Sequence, residues 1–142
     1  MAPAKNNTTG INFMATNVLL VLLSLLVIVH LLILIRIIPF EFIWGRRLTN
    51  ASQMVRFESL SVFINLLMVA VVAIDAGMLR VKIPPAVIKG ALWAMFILFL
   101  INTIGNYTSL NPFERMIFTP LTLVLSLLCL LLAINKKSIK RQ

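Results

Sequence analysis

Four long apolar runs constrain the fold of this 142-residue chain more than any other feature of its sequence. They cover residues 18–35, 59–79, 86–104 and 116–134, and the only Asp, Glu, Lys or Arg side chains within them are Asp75 and Lys89. A helix needs about 20 residues to cross the hydrocarbon core of a bilayer, and each run comes close to that length. Because backbone amides in lipid have to be paired within their own segment, runs of this kind are predicted to be helices.

The composition indicates the same class of protein. Hydrophobic residues make up 61% of the chain and charged residues 12%, whereas a soluble domain is about half apolar and about a quarter charged. This balance excludes a disordered chain and nearly every water-soluble globular fold, and the single cysteine, Cys129, excludes an intrachain disulfide. We therefore predict an all-α fold: one integral membrane domain, residues 1–142, formed by four transmembrane helices with antiparallel, up-down connections.

The breaks between the runs set the expected bounds of the helices. Pro39 follows the first run, and the Pro84-Pro85 pair separates the second run from the third. Asn111-Pro112 is typical of a helix start, with Asn111 as the cap and the proline in the first turn. The expected helices cover roughly 13–38, 56–79, 86–104 and 113–134, and a basic tail occupies 135–142.

Basic residues are distributed unevenly between the two sides of such a bundle. With four spans, both termini and the connection between the second and third helices share one side. That side carries eight Lys and Arg residues, and the other side carries five. Because membrane proteins keep their more basic side in the cytoplasm, both termini are predicted to be cytoplasmic. The same dispersal argues against nucleic acid as a partner, despite a net charge of +9.

Polar residues gather toward the opposite, non-cytoplasmic side. Glu58, Ser61 and Asn65 follow one another at spacings of three and four, which places them on one face of the second helix. Asn102 and Asn106 are four residues apart on the third helix. Polar side chains at membrane depth normally face the interior of a bundle, so all four helices are predicted to contribute to one polar cluster. Its members are Glu58, Ser61, Asn65, Asn102, Asn106, Glu41, Glu114, Arg36 and His30.

This cluster has more than one interpretation. In the structural interpretation, Glu and Arg side chains pair, asparagines bond across helices and the bundle gains a fixed register. In the functional interpretation, the cluster binds a proton, a cation or a polar ligand, with Glu58 as the titrating group. A carboxylate and histidine metal site is the least favoured interpretation, because His30 is the only histidine and no paired metal-ligand spacing accompanies it.

The sequence contains no motif of catalysis or cofactor binding, since it lacks G-x-S-x-G, a Walker loop, G-x-G-x-x-G and C-x-x-C. We therefore expect no enzymatic activity, no catalytic residue, no cofactor and no resident metal. The leading hypothesis is a membrane protein that acts through contacts with other helices or with lipid. The alternative is a small proton- or cation-linked transporter or channel subunit. The expected partners are the lipid bilayer and, laterally, a second copy of the chain or another membrane protein.

Two segments, HLLILIRIIPFEFIWGRRL and INTIGNYTSLNPFERMIFTPLTL, resemble a family of small, functionally uncharacterised bacterial inner-membrane proteins of about this length. The resemblance extends from the first helix to the fourth. It implies a bacterial source and a four-helix protein of the inner membrane, and it brings no activity to this chain. The residues that match the family pattern are Trp44, Gly45, Arg46, Asn102, Gly105, Asn106, Glu114, Thr119 and Pro120.

Overall fold

The computed structural model of the protein describes residues 5–40 and 50–135. Within these two ranges the chain is helical and contains no strand, which confirms the predicted all-α class. The predicted basic tail lies outside the described residues from position 136 onward. The four helices are α1 (Lys5–Leu34), α2 (Ala51–Asp75), α3 (Pro85–Tyr107) and α4 (Pro112–Ile134).

Helices α1 and α2 end at Leu34 and Asp75, which is four residues before the predicted ends at 38 and 79. Each helix is followed by a left-handed turn. The left-handed residue is Arg36 (φ 63°) after α1 and Gly77 (φ 77°) after α2. In each turn, the amide of the left-handed residue donates to the carbonyl three positions earlier, and the following amide donates to the carbonyl five positions before its own. The N···O distance is 2.9 Å in every case. This double bond pattern closes a helix and satisfies its last carbonyls. Glycine adopts the turn freely, whereas an arginine there costs about 1 kcal/mol or more.

Side-chain caps define the starts of α2 and α4. The Asn50 side-chain oxygen accepts a bond from the Gln53 amide at 2.9 Å, so α2 begins at Ala51 rather than at the predicted position 56. The Asn111 side-chain oxygen accepts from the Phe113 amide at 3.1 Å, which confirms the predicted cap of α4. Each cap satisfies an amide that has no partner inside its helix.

Polar contacts bring the start of α1, the start of α3 and the end of α4 together. The Lys89 ammonium donates to the carbonyls of Ala133 at 3.0 Å and Asn135 at 2.8 Å, which caps the C-terminus of α4. The Asn135 side-chain amide donates to Asn12 Oδ1 at 2.5 Å. Together with the contact between His30 near the end of α1 and Glu58 near the start of α2, these contacts show that consecutive helices are antiparallel. We name this end of the bundle the terminal end, and the end where α1 and α3 finish the opposite end.

The four helices form two hairpins. Helix α1 packs most closely on α2, and α3 packs most closely on α4. We call α1–α2 the first hairpin and α3–α4 the second hairpin. The two hairpins meet mainly where α1 lies against α4, while α2 and α3 have the sparsest contact of these pairs. The seam between α2 and α3 is therefore the least tightly packed of these helix pairings.

The interior of the bundle is divided along its length. The half toward the terminal end is packed with apolar side chains from all four helices, and many of them are completely buried. The half toward the opposite end buries polar side chains, including Glu58, Asn65, Glu114 and Thr122. The apolar half contains Leu19, Leu23, Met68, Val72, Leu92, Met95, Leu125 and Cys129.

The exterior is as apolar as the core. Only 17% to 33% of the most apolar stretch of each helix is buried within the bundle, so most of these side chains are at least partly exposed. Large apolar side chains are exposed on every helix, for example Phe13, Phe63, Ile101 and Met116. Exposed apolar surface on this scale is rare on soluble monomers. All four helices are long and apolar enough to cross a membrane, in agreement with the sequence prediction.

Candidate functional site

Polar side chains from all four helices line a cavity of about 280 Å³ in the half of the bundle toward the opposite end. We call it the polar cavity. Its apolar wall includes Leu26 and Val29 of α1 and Ile64 of α2. The spacing of these polar residues predicts that they face the interior, and the structure brings most of them to one partly enclosed space. The polar side chains that line the cavity are His30, Ser61, Asn65, Asn102, Asn106, Glu114 and Thr122.

A histidine–carboxylate pair joins α1 to α2 beside this cavity. His30 Nδ1 lies 2.6 Å from Glu58 Oε2, and the Glu58 side chain is completely buried, with 0% of its surface exposed. When Nδ1 carries the proton, the ring donates to the carboxylate and its orientation is fixed. This bond engages Nδ1 of a ring that lines the cavity.

Asn65 occupies the middle of α2 and lines the same cavity. Its side-chain nitrogen Nδ2 donates to the Ser61 carbonyl at 2.9 Å. Its side-chain oxygen Oδ1 is buried, and none of the described residues donates a hydrogen bond to it. A buried acceptor without a donor costs about 1–3 kcal/mol. The buried oxygen of Asn65 therefore lacks a hydrogen-bond donor among the described residues, in a residue that lines the polar cavity.

On the second hairpin, Thr122 completes the polar wall, and Thr103, which is not a lining residue, contacts it. The Thr122 hydroxyl donates to the Phe118 carbonyl at 2.7 Å and accepts from Asn106 Nδ2 at 3.4 Å. Thr103 Oγ1 lies 3.0 Å from Thr122 Oγ1. The sequence prediction of the polar cluster missed both threonines. A threonine in a helix ordinarily bonds to a carbonyl of its own preceding turn, so its type gives no sign of a cross-helix contact.

The carboxylate of Glu114 is held at the start of α4. The Ser109 hydroxyl donates to Glu114 Oε2 at 2.5 Å, and Ser109 Oγ also accepts from the Asn111 amide at 3.1 Å. Glu114 is buried and lines the polar cavity. This arrangement fixes the carboxylate in the first turn of a helix, where a negative charge is favoured by the helix dipole.

The structure assembles most of the predicted cluster. His30, Ser61, Asn65, Asn102, Asn106 and Glu114 line the polar cavity, and Glu58 lies directly behind His30. Arg36 is exposed in the left-handed turn after α1 and is not part of the cavity wall. Glu41 lies outside the described residues. Within residues 5–40 and 50–135, no three His, Cys, Asp or Glu side chains are placed to hold a metal ion together.

The polar cavity opens sideways and is closed toward the terminal end. Phe57 and Leu60 of α2 line it while remaining 45% and 54% exposed, and Leu98 and Asn102 of α3 are likewise exposed. The opening therefore lies at the loosely packed seam between α2 and α3. Buried Met68 and Phe99 form the floor, beyond which the interior is the apolar core. In a membrane this geometry gives access from the lipid between α2 and α3.

A second recess, of about 420 Å³, lies between α1 and α4 on the outer surface. It shares Leu26, Val29 and Phe118 with the polar cavity, so these side chains form a wall between the two spaces. Its described lining is entirely aliphatic or aromatic, with Leu22, Ile117 and Leu121 among its members. Such a groove suits any acyl chain of the surrounding bilayer and offers no group that would select one molecule.

The chain was compared with protein-family models, with curated proteins and with solved structures, and none of them matches it.

Proposed function

We propose that this chain is a non-enzymatic, multi-pass membrane protein that binds the polar head of a lipid-like amphipathic molecule, admitted from the bilayer between α2 and α3. One observation carries the proposal: a polar cavity, closed toward the terminal end, opens through an apolar rim at that seam. A molecule with a polar head and an apolar body matches this distribution. Its head replaces water or lipid at the polar wall, while its chains stay in hydrocarbon.

A purely structural role accounts for only part of the polar residues. The bonds between His30 and Glu58 and between Asn106 and Thr122 fix the register of each hairpin. They do not explain the buried oxygen of Asn65, which none of the described donors satisfies. They also do not explain Asn102, which is exposed at the opening. Without a ligand there, its polar side chain would face lipid. Both residues favour a ligand with hydrogen-bonding groups.

The proposal extends to location and orientation. The excess of basic residues on the side of the termini, eight against five, supports a cytoplasmic terminal end. The resemblance to small bacterial proteins supports the bacterial inner membrane as the location. The polar cavity would then face the outer leaflet, from which its ligand would come. The exposed apolar surface leaves room for lateral association with a second copy or another membrane protein.

Photo-crosslinking in liposomes tests the proposal. The probes are two-chain lipids with hydroxyl, phosphate or trimethylammonium heads, each carrying a diazirine beside the glycerol. We expect labelling to concentrate on α2 near Ser61 and on α3 near Asn102. Replacing Ser61 by tryptophan fills part of the cavity of about 280 Å³ with an indole and should reduce this labelling about tenfold or more.

The matched control is Leu66→Trp, which adds the same indole to the same helix at a side chain that is 51% exposed. This variant should be labelled like the wild type. Thermal melting in detergent identifies any variant that fails to fold. Labelling that stays undiminished in a folded Ser61→Trp protein, or that is spread evenly over the exposed faces, would refute a binding site in the polar cavity.

A proton- or cation-linked transporter is the second candidate, because the pair formed by His30 and Glu58 places titratable groups inside the bundle. The apolar half between the cavity and the terminal end opposes it. In liposomes, we expect the wild type and Glu58→Gln to pass protons and monovalent cations no faster than protein-free vesicles. Flux through the wild type that Glu58→Gln abolishes would establish transport and displace the lipid-binding proposal.

A further inference from the structure

From the charges and hydrogen-bonding groups of the polar cavity, we infer that its ligand has a neutral head that donates a hydroxyl hydrogen bond to Asn65. The ligand class is a lipid alcohol, such as a diacylglycerol, rather than a phosphate-bearing or cationic lipid. This inference rests on the proposed function and specifies the chemistry of the head. It is argued from the charge of the cavity wall, the unsatisfied side-chain oxygen of Asn65 and the volume of the cavity.

The charge of the wall disfavours an anionic head. The described lining residues include no lysine and no arginine, and phosphate recognition in proteins relies on these cations. Glu114 is part of the wall and Glu58 lies behind His30, so a phosphate would approach two carboxylates. Repulsion between like charges is strongest where water is excluded.

The same carboxylates do not require a cationic head. Glu58 already accepts a bond from the His30 ring, and Glu114 accepts one from the Ser109 hydroxyl. Each carboxylate thus has a donor from the chain itself, and neither depends on a cationic head for a hydrogen-bond partner. An ammonium head would also lose its hydration on leaving the membrane surface for a mostly apolar cavity, and that loss is expensive for a charged group.

Asn65 supplies the specific demand. Its Nδ2 faces the Ser61 carbonyl at 2.9 Å, and reversing the amide would set two acceptors against each other. The acceptor Oδ1 is therefore the atom left without a partner among the described residues. A hydroxyl donor meets this demand without adding charge. The cavity of about 280 Å³ accommodates a small head, and the chains leave through the opening between α2 and α3.

A competition experiment tests the inference. Purified protein receives equal amounts of dioleoylglycerol, dioleoylphosphatidic acid and dioleoyl-trimethylammonium-propane, which differ in their heads and share their acyl chains. Native mass spectrometry then counts the lipids retained by each chain. We expect one dioleoylglycerol per chain, retained about tenfold or more over the other two lipids, which corresponds to about 1.4 kcal/mol.

The variant Asn65→Leu separates binding from folding. Leucine has nearly the shape of asparagine and removes the unsatisfied oxygen, while the Ser61 carbonyl keeps its bond within α2. The ligand-free variant should therefore melt at or above the wild-type temperature and yet lose about tenfold or more of its dioleoylglycerol retention. Retention that is unchanged in Asn65→Leu would overturn the role of Asn65.

Different results would overturn the neutral head and the lipid-binding function. Preferential retention of phosphatidic acid or of the cationic lipid, sensitive to Ser61→Trp, would overturn the neutral head and leave the lipid-binding function standing. The neutral head and the lipid-binding function would both be overturned if none of the three lipids is retained at a defined number per chain and Ser61→Trp leaves the photo-labelling unchanged.

Discussion

Replacing Glu58 by leucine is expected to destabilise the bundle by about 1–3 kcal/mol, which is the usual cost of leaving one partner of a buried hydrogen bond unsatisfied. The Glu58 side chain has no exposed surface, and its Oε2 lies 2.6 Å from His30 Nδ1. Without the carboxylate, the ring nitrogen is left facing an apolar leucine between α1 and α2. Chemical unfolding in a defined detergent measures the change in free energy.

The double variant His30→Leu/Glu58→Leu identifies the source of that loss. Removing both partners leaves no unpaired group of the pair, so the double variant should recover part of the stability lost by Glu58→Leu. A recovery of about 1 kcal/mol or more marks a coupled pair. If the losses of the two single variants simply add in the double variant, the bond between α1 and α2 contributes nothing to stability, and the contact is only a proximity.

The second large effect is expected in the apolar half of the interior. Leu92 of α3 has 0% exposure within the core that all four helices form. In a bilayer the transfer of leucine between lipid and protein interior gains little, because both are apolar. The void left by Leu92→Ala still removes packing contacts, so we expect a loss of about 2–4 kcal/mol in detergent unfolding.

Leu100→Ala is the matched control for this experiment. It makes the same substitution on the same helix, at a side chain that is 38% exposed on the outer surface. Detergent or lipid chains fill the space that is left, so the loss should stay below about 1 kcal/mol. Equal losses at the two positions would mean that the terminal half of the bundle is not closely packed, and that its closure below the polar cavity is not supported.

The membrane constraint explains why so much of the architecture was predictable. Hydrocarbon permits few alternatives to helices of about 20 residues, and it drives polar side chains such as Asn65 toward the interior. The helix ends were less predictable for different reasons. Gly77 is a recognisable helix-ending residue, but Arg36 occupies the same left-handed position against its own preference. No sequence rule would have selected an arginine for that turn.

The cavity itself could not be predicted from sequence. Spacing placed Glu58, Ser61 and Asn65 on one face of α2, but it carried no information on how tightly α2 meets α3. That depends on the packing of the two hairpins, to which distant residues such as Leu26 and Phe118 contribute. Thr122 joined the cavity wall through a contact with Asn106 on the neighbouring helix, and such a pairing is set by the geometry of the second hairpin.

The division into two hairpins has a consequence for motion. The bonds between His30 and Glu58 and between Asn106 and Thr122 each lie within one hairpin, whereas the bond between Asn12 and Asn135 joins the first hairpin to the second at the terminal end. A tilt of the two hairpins as rigid bodies about that bond and the adjoining apolar core would break none of the bonds within the hairpins. Such a tilt widens the seam between α2 and α3 at the opposite end while these bonds stay intact. If the chain binds a ligand as proposed, such a tilt would admit it without the unfolding of any helix.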